Sequence, residues 1–83
     1  MNILIPLNIL QDKKLTSLEK IICAFILMQK NKCRLNNKEI SDFVFASYGS
    51  VKQSLVRLEK KHIVFKDGHK FDRTLSVILE NIS

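Results

Sequence analysis

Lys52, Gln53, Arg57 and Lys60 recur on one side of a helical period, and Lys66, Lys70 and Arg73 follow around a turn. Ammonium and guanidinium groups neutralise phosphates and release their condensed counterions, without reading sequence. A Gln amide both donates and accepts, so it can pair with the edge of an adenine. Fourteen Lys and Arg against eight Asp and Glu give a formal charge of +6. A domain so basic attracts polyanions, nucleic acid being the commonest. A solvated surface that only maintains solubility carries the same charges, and charge alone does not separate the two readings.

Other chemistries find little support. Cys23 lies in an apolar run, where a thiol behaves as a small hydrophobe, and Cys33 sits in a polar stretch. With His62 and His69 they match no usual zinc spacing, and two cysteines make no disulfide framework. No nucleophile stands beside a base, no carboxylates are paired, and no Gly-rich loop cradles phosphate. Neither catalysis nor a cofactor is expected. The start, Met1 to Pro6, lacks the basic and long apolar stretches of a signal peptide, and the run Ile21 to Met28 is too short to span a bilayer. The expected location is cytoplasmic, with no membrane partner.

The elements that must position the basic residues can be read in order. With 83 residues there is room for one domain, 1–83, near the lower limit of what folds unaided. Residues 2–5 read as a short strand or extended lead-in to Pro6, and 7–14 as a loose helical turn. Thr16 and Glu19 form a capping box that opens a helix to about Lys30. Its apolar residues surround it almost completely, so it is either a central core helix or one whose outer side meets a second copy. The core is the preferred reading. Asn31 to Leu35 is a polar connection. Asn36 and Glu39 form a second capping box for a short helix ending near Val44 or Phe45. Ser47 caps a third, to about Lys61, with Val51, Leu55 and Leu58 as its apolar stripe. Ile63 to Phe65 reads as a strand and Asp67-Gly68 as a turn. A second strand follows, with Phe71, Leu75, Val77 and Leu79 pointing inward. Residues 80–83 are a tail or the start of a short dimerising helix.

Helix, short helix, tight turn, amphipathic helix and β-hairpin give an α+β fold, mainly α: a three-helix core plus a β-hairpin wing. The stretches Pro6-Leu-Asn-Ile-Leu, Asn37-Lys-Glu-Ile-Ser-Asp-Phe and Ser47-Tyr-Gly-Ser-Val-Lys-Gln-Ser-Leu-Val-Arg-Leu-Glu carry a resemblance. From Ile5 to Val64 the chain resembles the winged helix-turn-helix domains of phage and plasmid proteins that govern replication, partition or transcription. The resemblance implies double-stranded DNA as partner, with Ser47 capping the recognition helix and Lys52 and Gln53 facing DNA. The candidate contacts are Ser47, Tyr48, Ser50, Lys52, Gln53 and Arg57 on the third helix and Lys66, His69, Lys70 and Arg73 on the hairpin, although a Tyr at a helix start is more often a rim packing residue. The role implied is a site-specific transcriptional regulator or a centromere-binding partition adaptor, with a further plasmid or phage protein as a possible second partner. The alternative is a winged-helix protein–protein adaptor without DNA binding.

One departure matters. Where the family usually has Gly in the inter-helix turn, this chain has Phe45, a residue unfavourable at positive φ. The expectation is a rebuilt turn, which leaves two uses for the third helix: entry into a major groove, or, slightly preferred, dimer contacts as in the TubR type of partition protein. Gly49 and Val56 would suit such packing. A homodimer is expected, both on this ground and because a small core gains from self-association.

Overall fold

The computed structural model describes residues 5–68 and 72–82. Helix α1 (Leu7–Leu10) is a single turn after Pro6 that buries Ile9. Helix α2 (Ser17–Met28) opens on the expected capping box. The Glu19 N–H donates to Thr16 Oγ1 at 3.1 Å, and the Thr16 N–H donates to Glu19 Oε1 at 3.0 Å. Such reciprocal caps satisfy donors that a helix start leaves free. Ile22, Cys23, Ala24, Phe25 and Ile26 are all fully buried, because α1, α3, α4 and the second strand pack around α2. Leu18, Ile21 and Leu27 are partly buried against the same core, and Met28 is left 42% exposed. Helix α2 is thus mainly a central core helix.

The segment after α2 departs from the expected polar connection. Lys30 and Asn31 both take left-handed backbone conformations. The Asn31 amide then imitates a strand, donating to Val77 O at 3.1 Å and accepting the Val77 N–H at 2.6 Å. Cys33 next forms an antiparallel bridge with Leu75, through backbone bonds of 2.9 and 2.8 Å. Its side chain is fully buried, where the sequence suggested a polar setting.

Helix α3 (Asn37–Val44) starts at the second expected capping box, Asn36 with Glu39. It ends on Phe45, at φ 56° and ψ 43°. The Phe45 and Ala46 N–H groups both turn back to Ser41 O, which satisfies a carbonyl the helix end would orphan. The turn therefore keeps the left-handed conformation usual for Gly and is not rebuilt, correcting the expectation drawn from Phe45. The ring gains nothing from this within the chain, being 88% exposed.

Helix α4 (Tyr48–Lys60) is capped by Ser47, whose Oγ accepts the Ser50 N–H at 3.2 Å. Val51, Ser54, Leu55 and Leu58 make its buried side. It ends like α3, on a left-handed non-glycine residue, His62, with the Ile63 N–H donating to Leu58 O at 3.0 Å.

Strands β1 (Val64–Asp67) and β2 (Thr74–Val77) pair antiparallel, Val64 opposite Val77 and Asp67 opposite Thr74. Val64, Leu75 and Val77 face inward, and the inner side of the sheet packs on α2 and α4. Gly68, at φ 94°, is required: a Cβ there would lie 2.2 Å from Asp72 O. Leu79, expected to continue the inward alternation, instead opens a short 3-10 turn (Leu79–Asn81) and is exposed. That turn bends the chain back, with the Asn81 amide donating to His62 O and Ile82 buried. Phe71 and residues 2–4 and 83 lie outside the described residues. The fold is α+β and mainly helical.

Candidate nucleic-acid interface

The outer side of α4 is the largest expected feature that can be located. Its inner stripe is committed to the core, which leaves Lys52, Gln53, Val56 and Lys60 exposed along the opposite side. Gly49, Lys52, Gln53, Val56 and Arg57 line an open, mainly apolar groove of about 420 Å³. A Cβ built on Gly49 would meet nothing within 4 Å, so nothing inside the chain requires glycine there. Gly49 is the second residue of α4, in its first turn, and leaves the surface open there.

The helix start carries Tyr48, half exposed, and Ser50, exposed. Ser47 is occupied as the cap, and its hydroxyl donates to Ser50 Oγ at 2.8 Å. Both hydroxyls thus sit at the amino end of α4, the positive end of the helix dipole.

Not every expected cation is available. Arg57 is half exposed; it donates to Ser54 Oγ at 3.2 Å, and its Nε lies 4.0 Å from the buried Glu19 carboxylate. Lys61, the residue that closes α4, is engaged within the chain. Its Nζ donates to Lys14 O at 2.8 Å and lies 3.2 Å from Glu19 Oε2. Burial alone would raise the Glu19 carboxyl, but hydrogen bonds from Thr16 and Lys61 outweigh it and hold the group below its usual range.

On the hairpin, Lys66 is half exposed, with its Nζ 3.9 Å from Glu59 Oε1. Arg73 does not extend from the wing. Its guanidinium donates to Leu35 O at 3.2 Å and to Asn37 Oδ1, tying the start of β2 to the start of α3. The sequence pattern reads it as a phosphate contact; here its guanidinium is engaged with these two acceptors. His69 and Lys70 lie outside the described residues.

Sequence reasoning missed a second concavity. Asn31, Lys32, Arg34, Phe65, Asp67, Thr74 and Ser76 line a depression of about 350 Å³ on the outer face of the sheet. Its only local signal was the alternation of Lys32 and Arg34 about Cys33, which a polar connection also shows. Among the described residues no group of three or more His, Cys, Asp or Glu is placed to hold a metal ion. No described helix is long and apolar enough to cross a membrane. Both thiols are buried, and burial pushes Cys23 up to about 12 and raises Cys33 as well. Comparison with known proteins gives no likeness to argue from: no family model, no curated protein and no solved structure matches the chain.

Proposed function

We propose that this chain is a winged helix-turn-helix domain that binds double-stranded DNA, laying the outer side of α4 in a major groove with the hairpin beside the neighbouring backbone. The observation that carries the reading is the division of α4. One side is buried on α2, α3 and β1, while Lys52, Gln53 and Lys60 project from the other beside the open Gly49. Lys52 and Lys60 supply affinity by counterion release, and Gln53 supplies base preference. In a helix-turn-helix the second helix contacts base edges by its amino-terminal residues, here Tyr48, Ser50, Lys52 and Gln53. The role that follows is a site-specific regulator or centromere-binding adaptor of a plasmid or phage.

The left-handed turn at Phe45 favours groove entry over dimer packing by α4, because the motive for redirecting the helix was a rebuilt turn. Charge points the same way: Lys52, Arg57 and Lys60 would meet their own kind across a symmetric α4 contact. Dimerisation through another surface is compatible with DNA binding and would set paired half-sites about one helical turn apart.

Retardation of duplex DNA in a salt series tests the proposal. Binding that weakens steeply with salt, and that prefers one recovered genomic sequence over competitor, supports it. Absence of duplex binding at low salt overturns it and leaves the protein–protein adaptor.

A further inference from the structure

The outer face of the sheet is organised in two cross-strand rows. In the register of β1 and β2, Phe65 stands opposite Ser76 and Asp67 opposite Thr74. The isolated antiparallel bridge between Cys33 and Leu75 lays the 31–34 segment beside β2. With Cys33 and Leu75 pointing inward, Lys32 falls beside Ser76 and Arg34 beside Thr74 on the outer side. The rows therefore read Lys32–Ser76–Phe65 and Arg34–Thr74–Asp67, and these six residues with Asn31 line the 350 Å³ depression.

Three features of this face go together. Phe65 is a large aromatic left 54% exposed on a strand whose other side is core. Lys32 and Arg34 are exposed, and neither is in an ion pair among the described residues. Between ring and cations lie two hydroxyls, which both donate and accept. Adjacent strands are about 4.8 Å apart, so the ring and the Lys32 backbone stand roughly 10 Å apart across the face. A nucleotide fits that interval, with its base on the ring and its phosphate within reach of a lysine side chain. Duplex DNA does not, since its bases are stacked on one another and offer no free face.

We infer that this sheet face is a second nucleic-acid site, for unpaired nucleotides of a single strand. One base stacks on Phe65, the Lys32 and Arg34 side chains hold flanking phosphates, and Ser76 and Thr74 bond to sugar or base edges. The segment that brings the cations here is held by Asn31, whose amide clamps the Val77 backbone. The inner side of the sheet packs on α2 and α4, so this face looks away from α4. Asp67, at the far corner from Lys32, disfavours phosphate and directs the strand along the Lys32–Arg34 edge.

The test is fluorescence anisotropy of the full chain with labelled short oligothymidylate and oligouridylate, the two arms separating a DNA source from an RNA source. Phe65→Ala should weaken binding about tenfold, while Phe65→Tyr, which keeps the ring, should bind as the parent does. Lys32→Ala with Arg34→Ala should flatten the salt dependence by about 0.7 in slope per lost phosphate contact. The pair Lys52→Ala and Gln53→Ala, on α4, should leave single-strand affinity unchanged. Circular dichroism confirms folding of each variant, and Phe65→Leu serves if Phe65→Ala is unfolded. Binding to neither oligonucleotide overturns the inference, as does binding insensitive to Phe65 or lost equally with the α4 pair. Failure of duplex binding would not touch this result, because ligand and face both differ.

Discussion

Lys61 Nζ lies 3.2 Å from Glu19 Oε2, joining the last turn of α4 to the first turn of α2. The same carboxylate caps Thr16, so one buried side chain both starts the central helix and anchors the end of the proposed groove helix.

This pair makes stability depend on pH. The folded protein holds the Glu19 carboxyl below its unfolded value, so the folded state favours the ionised form. That contribution is fully present above the unfolded value, about 4.3, and is lost as pH falls through the lower folded value. Urea denaturation should show the parent losing stability on acidification, and Glu19→Gln losing less over the same range. Lys61→Ala should cost about 1–3 kcal/mol near neutral pH, because it strips a donor from a buried carboxylate. An unchanged midpoint for Lys61→Ala would remove this link between α2 and α4.

At the turn between α3 and α4, Phe45→Gly should raise stability by about 1 kcal/mol. It relieves a left-handed conformation at a side chain that buries almost nothing. Gly68→Ala should have the opposite effect, costing about 2 kcal/mol or more, since both φ and the contact with Asp72 O oppose a Cβ. Thermal melts of the two variants check both signs.

Much of this architecture was legible from local signals. The Thr16–Glu19 and Asn36–Glu39 boxes and the Ser47 cap lie where the sequence places them, because a cap is settled by residues three apart. The inward Leu75 and Val77 are local in the same sense, whereas Asp67 still belongs to β1 and the connection after Gly68 lies largely outside the described residues. What escaped depends on partners distant in the chain. Cys33 becomes part of the sheet only through Leu75, Arg73 turns inward only because Asn37 and Leu35 are there, and Lys61 is claimed by Glu19. At the proposed interface, the helical period identified Lys52 and Gln53 but could not separate them from Arg57, which donates to Ser54 and lies beside the buried Glu19 carboxylate.

Arg73→Ala should accordingly act on stability, by about 1–2 kcal/mol, through its bonds to α3 and the 35-position carbonyl. Lys66→Ala, half exposed and 3.9 Å from Glu59, should change stability by less than about 0.5 kcal/mol. Chemical denaturation of the two side by side decides it; equal midpoints would return Arg73 to the surface.

Cys23 and Cys33 should resist a thiol reagent in the native protein at mildly alkaline pH, where burial keeps both protonated and shielded. Both should react at once in denaturant. Rapid native labelling of Cys33 would mean that the 31–34 segment opens from β2, taking Lys32 and Arg34 with it.

The most direct measurement is duplex DNA affinity for the parent, for Gln53→Ala and for Lys52→Ala, each with a preferred genomic sequence and with unrelated competitor over a range of salt. Gln53→Ala should lose about 1–3 kcal/mol on the preferred sequence and little on competitor. Lys52→Ala should weaken both sequences alike and lower the salt slope by about one. If both variants bind every duplex as the parent does, the outer side of α4 does not touch DNA, and the central proposal fails.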